Sequence, residues 1–333
     1  MANTHDFKKI LVIQNAFIGD AILATAVLEK LHSYYPTADI HFLVRKEAAS
    51  LFENHPFIKQ VWIFDRSKGK WKELFRLSKL VRAEKFSLAV TLQRFGSSGF
   101  LVWRSRAAVK CGFSKNMFSF CFTHKAKHVI GNGTHEIQRN QLVIAAITDD
   151  EAAFPEIYPD PVHEQEINTL TTKPFVTVSP ASVWFTKQWP AKKWIELISR
   201  MPTSINVYLL GGKTDVILCN EIKEKCTGHT VVNLAGTLSF LASAALMKKA
   251  GMNYTNDSAP LHICSAMHAP LTAVFCSTVP KFGFGPIHAN ATVVEIKEKL
   301  DCRPCGLHGH KSCPKGHFKC ALEINVNEIA LPS

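Results

Sequence analysis

The amino-acid sequence predicts an α/β protein made of two successive units, each folded around a parallel sheet. Three observations carry this. Short β-rich runs alternate with stretches of helical period between residues 9 and 92. The alternation restarts at residue 175, after a polar, acidic linker over 149–172, and continues to residue 275. Strands that alternate with helices imply βαβ units and parallel pairing. Third, 333 residues, 47% of them hydrophobic and 20% charged, suit two domains with full cores. That composition excludes disorder, collagen-like repeats and coiled coil, and ten mostly scattered cysteines exclude a small disulfide scaffold.

Each element has a local reason. Residues 9–14 (KILVIQ) read as a buried strand and 15–19 as the turn after it. Asp20 then opens a helix whose Leu23, Val27, Leu31 and Tyr34 share one face, and Pro36 stops it. Residues 40–44 follow as strand, 47–54 as helix, 61–64 as strand, 71–83 as a basic amphipathic helix and 88–92 as strand. In the second unit, strand 175–178 leads to helix 191–200 after Pro190, then to strand 207–210, which ends in Gly211-Gly212. Helix 214–226, strand 231–234, helix 239–250, strand 253–255, helix 260–267 and strand 271–275 complete it. The expected domains are 1–165 and 166–333. Ligands of such sheets bind at the carboxyl ends of the strands, so the active site is expected in the cleft between the units.

The 39 Lys and Arg residues exceed the 27 Asp and Glu by twelve charges. The excess is local. Residues 66–127 hold fifteen basic residues against two acids, Glu73 and Glu84, a net of +13 that leaves the other 271 residues at −1. Such concentration points to an anionic partner (a nucleic acid, a phospholipid surface or a phosphorylated substrate) or, more plainly, to a solvated lysine-rich helix face. The apolar run 10–13 is too brief for a signal-peptide core, and no stretch approaches the ~18 apolar residues of a membrane span. The chain is expected in the cytoplasm with reduced thiols, peripheral to a membrane surface through its basic stretch.

Four turns hold residues suited to chemistry. Asp20 follows Gly19 at a helix start, either as a general base or as an N-cap satisfying first-turn N–H groups; Gly19 lets backbone approach a ligand. Ser179-Pro180-Ala181-Ser182 ends the second unit's first strand, and Lys187 lies close behind. A small-residue turn, a lysine and a helix start can hold an anion, unless Lys187 is merely solvated. Gly211 and Gly212 would make room for a nucleotide whose ribose Asp215 could hold. The run 256–262 places Asp257 and Ser258 at a strand's carboxyl end, Pro260 at the first helical turn and His262 one turn in. Backbone N–H groups of that helix start would point at a diphosphate. There is no Walker pattern, no G-x-G-x-x-G after the first strand and no G-x-S-x-G.

These segments, in this order, resemble glycosyltransferase family 9, the ADP-heptose:lipopolysaccharide heptosyltransferases, particularly of the heptosyltransferase II type. The matching stretches are Ile18-Gly19-Asp20 with Thr25, Ser179-Pro180-Ala181-Ser182 with Lys187-Gln188-Trp189-Pro190, Leu210-Gly211-Gly212, and Asn233-Leu234-Ala235-Gly236. Asn256-Asp257-Ser258 with His262, then Phe275 and Gly285-Pro286, complete the set across nearly the whole chain. The resemblance implies a GT-B architecture of two Rossmann-like domains, with acceptor on the first and nucleotide sugar on the second. It implies Asp20 as catalytic base, Lys187 on the donor phosphates, the Asp257 turn facing the diphosphate, and an acid near Asp215 on the ribose. Gly19, Ser182, Gly211, Gly212, Ser258, Ala259 and His262 would complete the donor site, and Arg94, Arg104 and Arg106 of the basic stretch would meet the acceptor. The implied reaction is inverting, needs no metal, and moves heptose from ADP-heptose to a lipid A–Kdo or heptosylated inner-core acceptor at the inner-membrane cytoplasmic face of a Gram-negative bacterium. No nucleic-acid partner is implied.

Two departures stand out: Ala26 where the family usually has proline, and Ala259 where it usually has glycine, which would matter if that position needed positive φ. The tail Cys302-x2-Cys305-x7-Cys313-x6-Cys320, with His308, His310 and His317 interspersed, is compatible with structural zinc or a rubredoxin-like iron. Its lack of a second paired C-x-x-C favours plain or partly oxidised thiols. Two other readings remain at this point: a relative that glycosylates a protein or uses another nucleotide sugar, and a nucleic-acid-binding protein acting through residues 66–127, for which no motif is present.

Overall fold

The computed structural model describes residues 6–332, which divide into two compact units, one ending at Tyr158 and the other beginning at Pro159. The first is a six-stranded sheet of β1 (Lys9–Gln14), β2 (Asp39–Arg45), β3 (Ile58–Phe64), β4 (Leu88–Thr91), β5 (Val109–Phe113) and β6 (His124–Ala126). Its order is β3-β2-β1-β4-β5-β6 and every pairing is parallel. The chain winds one way from β1 to β3, then returns to the other side of β1 with β4. Beyond the carboxyl ends of β1 and β4 lies the switch point where such sheets bind ligands.

The helices of this unit are α1 (Ile18–Leu23), α2 (Thr25–Tyr34), α3 (Lys70–Ala83), α4 (Gly96–Ser105) and α5 (Glu136–Ile144). The single helix expected from Asp20 is thus two, joined at Ala24. Thr25 sits at the joint, its hydroxyl donating to the Ile22 carbonyl at 2.7 Å and accepting from the Glu156 N–H at 2.9 Å. Residues 47–54, expected as a helix, overlap the 3₁₀ segment Lys46–Phe52, so the helix there is 3₁₀ rather than α. α3 buries Leu74, Leu77 and Val81, spaced three and four apart, against Leu101 and Val102 of α4 and against the sheet.

The second unit repeats the plan with β7 (Phe175–Ser179), β8 (Asn206–Leu209), β9 (Val231–Asn233), β10 (Met252–Asn256), β11 (Leu271–Phe275) and β12 (Ala291–Glu295), ordered β12-β11-β10-β7-β8-β9 and all parallel. Here β7 and β10 flank the switch point. Its helices are α6 (Pro161–Glu166), α7 (Ala191–Ser199), α8 (Val216–Lys225), α9 (Phe240–Lys249), α10 (Ala259–Ala266) and α11 (Lys319–Leu322). The expected linker 149–172 therefore contains α6, capped by the Asp160 carboxylate and ion-paired through Glu164 to Lys249 of α9. The tail is not an appendage either: Phe318, Cys320, Ala321, Ile324, Val326 and Ile329 join Trp189 and Trp194 in the core. The Trp189 indole N–H donates to the Ala321 carbonyl at 3.1 Å.

Candidate active site

In the first unit, β1 delivers the chain to Phe17, extended at φ −79° and ψ 169°, and α1 starts after it. Asp20 is the third residue of that helix rather than its N-cap. Its Oδ2 accepts the Phe17 backbone N–H at 3.2 Å, so one oxygen caps the helix and the other remains available. The carboxyl is pushed up to about 6, first by burial and then by the nearby negative charge of Glu136; the Phe17 N–H and Arg45 pull the other way without cancelling the rise. A carboxylic acid near neutrality can accept a proton from a hydroxyl and lose it again.

Glu136 opens α5, 4% exposed, and holds Arg139 at 2.7 Å and His128 at 3.6 Å. Burial alone would raise it, but His128 and Arg139 outweigh burial and keep it below the usual range. It therefore stays ionised and repels charge on Asp20. Sequence reasoning passes over this trio, because an acid and an arginine three apart on a helix read as an ordinary surface pair. Also at the switch point, Gln93 donates through its side-chain amide to Gln14 at the end of β1. Arg94 lies next to it, whereas Arg104 is in the last turn of α4 and Arg106 is its C-cap, roughly 15 Å of helix away. The three arginines named for the acceptor are not one cluster.

In the second unit, the carboxyl ends of β7 and β10 are tied by Asn256. Its amide donates to the Pro180 carbonyl at 2.7 Å and its oxygen accepts the Trp189 N–H at 2.9 Å. This fixes the 180–189 loop, in which Lys187 Nζ meets Asp257 Oδ2 at 2.7 Å. The same oxygen accepts the Thr278 hydroxyl at 2.6 Å. Lys187 is thus not merely solvated: at 16% exposure it is held by Asp257, whose carboxylate Thr278 in turn fixes. Ser182 is held through its carbonyl by the Gln188 amide. Ser258 caps α10, and Ala259 is its first residue. Ala259 is not among the residues with positive φ, so the absence of glycine there costs no backbone strain. His262 lies buried one turn in. Across β8, the Asp215 carboxylate accepts the Gly212 N–H at 2.8 Å, and Gly211 must lack a Cβ because one would stand 2.8 Å from that of Asp215. Asp215 therefore shapes its own glycine turn.

A strap from the tail backs this loop. The Thr186 N–H donates to the His310 carbonyl at 3.1 Å and the His310 N–H to the Thr186 hydroxyl at 2.8 Å. The Cys305 N–H donates to the Ser277 carbonyl at 2.8 Å, and Arg303 donates to the carbonyls of Cys276 and Thr278 at 2.7 and 2.8 Å. Among the described residues no three His, Cys, Asp or Glu side chains form a group that could hold a metal ion. Cys302 Sγ lies 3.7 Å from His317 Nε2, while Cys320 is packed in the core, its thiol pushed up to about 11 by burial. Cys305 is also raised, by burial and then by Cys302 and Cys313. Cys302, Cys305 and Cys313 nonetheless lie near enough to Cys320 to act on its thiol. Among the described residues no helix is long and apolar enough to cross a membrane.

Residues 74–313 match the family model described as glycosyltransferase family 9 (heptosyltransferase). The chain is 26% identical over 277 residues to lipopolysaccharide heptosyltransferase 3 of Escherichia coli, covering 79% of this chain and 82% of that protein. Among solved structures it is similar to a family 9 glycosyl transferase from Veillonella parvula, with a TM-score of 0.78 at 22% identity, covering 87% and 86% of the two chains. It is also similar to the E. coli ADP-heptose lipopolysaccharide heptosyltransferase II, with a TM-score of 0.74 at 19% identity, covering 89% and 95%. These likenesses place the two parallel sheets in the GT-B class.

Proposed function

The chain belongs to glycosyltransferase family 9, and from that premise we propose that it transfers heptose from ADP-heptose to the inner core of lipopolysaccharide with inversion at the anomeric carbon. The observation that carries the mechanism is the Asp20 carboxyl, poised at about 6 at a sheet's switch point. As carboxylate it takes the proton of the acceptor hydroxyl. The freed oxygen forms a bond to the anomeric carbon while the bond from that carbon to the diphosphate breaks, and ADP leaves with the electron pair. Lys187 and the backbone N–H groups opening α10 stabilise the departing charge, so no step is routed through a metal.

Asp257 fits a positioning role better than direct contact with the donor, since a carboxylate facing a diphosphate would repel it and its oxygen already holds Lys187 and Thr278. Gly211, Gly212 and Asp215 would border the nucleotide, with Ser182, Ser258, Ala259 and His262 around it, and Gly19 would give the acceptor hydroxyl room beside Asp20. Arg94, next to Gln93 at the switch point, would meet an anionic acceptor, with Arg104 and Arg106 further from Asp20 along α4. A lipid acceptor of this kind puts the enzyme at the cytoplasmic face of the inner membrane. Replacing Asp20 by Ala should lower ADP release with donor and acceptor about 10²–10⁴-fold while the Kd for ADP stays within about twofold. Turnover close to that of the native enzyme would sink the base assignment, and a screen of lipid and protein acceptors with several nucleotide sugars would expose a different substrate pair.

A further inference from the structure

We infer that α3, α4 and the turn after β5 form a face that inserts aromatic side chains into an anionic lipid bilayer, beyond attraction by charge alone. The observation is a cluster of large apolar side chains left in solvent: Trp71 is 66% exposed, Phe75 56%, Trp103 44%, Met117 77% and Phe120 71%. They are neighbours. Trp71 and Phe75 are one turn apart on α3, and Phe75 meets Phe100 of α4 with ring centroids 6.1 Å apart. Phe100 in turn packs on Trp103 at 5.9 Å and on Phe118 at 5.9 Å, and Phe118 on Phe120 at 5.9 Å. Single exposed apolar residues need no explanation, whereas a contiguous set marks an interaction surface.

Charge selects the occupant. The patch is bordered by Lys70, Lys72, Lys79 and Arg82 of α3 and by Arg104 and Arg106, none with an acidic partner among the described residues. Arg82, Arg104 and Arg106 stand close enough that the other two disfavour the charge on Arg82. A second copy of the chain would bring two such stretches, each of net +13, against one another. The rings pack on one another at T-shaped or tilted angles rather than standing apart as stacking platforms for bases. An anionic bilayer satisfies both features, with cations at the phosphates and Trp and Phe at the headgroup boundary. The inference draws its purpose from the proposed lipid acceptor, but the surface is tested without either substrate.

The test is sedimentation of the full chain with vesicles of phosphatidylethanolamine and phosphatidylglycerol, in parallel with pure phosphatidylcholine, at about 0.1 M and about 1 M salt, where the Debye length shrinks from about 10 to about 3 Å. Expected are binding to the anionic vesicles only and a bound fraction that survives high salt. The double variant Trp71→Ser, Phe75→Ser should still bind at low salt but be released at high salt, with the melting temperature, ADP affinity and activity on a soluble, deacylated acceptor unchanged. Brominated phosphatidylglycerol should quench native tryptophan fluorescence, and less so in Trp71→Phe, which still binds. Equal, fully salt-sensitive binding by native and double-variant protein would overturn insertion, as would no vesicle binding. Self-association, or RNA binding, that the double variant abolishes would assign the face to a different partner and overturn it too. Vesicle binding by a native protein with no affinity for ADP would instead count against the proposed enzyme function and leave the surface standing.

Discussion

At the scale of single residues, the site depends on which neighbour each charged group has. Asp20 and Lys187 are visible in the sequence, but their neighbours are not, because Glu136 lies 116 positions from Asp20 and Asp257 lies 70 from Lys187. Only the folded chain shows that Glu136 helps hold Asp20 near 6 and that Asp257 is the ion-pair partner of Lys187. The pair makes a prediction. Lys187→Ala should weaken ADP binding about ten- to a hundredfold, the size expected for a charge-assisted hydrogen bond to phosphate. Asp257→Asn keeps the shape but frees the lysine, so the KM for donor should rise more than kcat falls. Isothermal titration and steady-state ADP release measure the two effects; an Asp257→Asn enzyme with native donor KM would contradict the positioning role.

At the scale of elements, the sequence announced those with strong period and clear punctuation: β1, β2, β7, β8, β10 and β11, and α3, α7, α9 and α10. It missed β5, β6 and β12, which are short or flank the sheet edge and carry lysine, histidine or threonine where a buried strand shows an apolar run. The tail's cysteine spacing shows neither of its two structural contributions, the core residues from Phe318 to Ile329 and a strap whose backbone holds Thr186 beside Lys187. Gly309 is where this strap comes closest. Its φ is +77°, and a Cβ there would stand 2.8 Å from the Thr186 hydroxyl and 3.1 Å from Lys187 Cγ. Gly309→Ala should therefore displace the lysine loop and weaken ADP binding by about tenfold, or about 1.4 kcal/mol, without unfolding the unit, whose core the strap does not enter. Calorimetric ADP binding alongside a thermal melt checks this, and unchanged affinity would separate the strap from the site.

At the scale of the molecule, two features of composition found a place. The alternation of strands and helices becomes two parallel six-stranded sheets, each with a switch point where its strand order reverses. Part of the excess of positive charge, six of the fifteen basic residues over 66–127, none with an acidic partner among the described residues, lies on α3 and at the end of α4 beside exposed aromatic residues. Sequence period could not show that face, since Trp71 and Phe75 fit an amphipathic helix whether buried or bare. The central claim is a division of labour, with proton transfer at Asp20 and donor binding around Lys187. The pH dependence of turnover, measured with ADP affinity in the native enzyme and in Asp20→Asn, tests it most directly. The native carboxyl is raised to about 6, so it is protonated and idle below that pH and ionised above it. Native turnover should climb through an acid limb near pH 6; the variant should lose that limb and nearly all activity while its ADP affinity matches the native value at every pH. A variant that keeps the limb, or loses ADP binding together with turnover, would contradict the account.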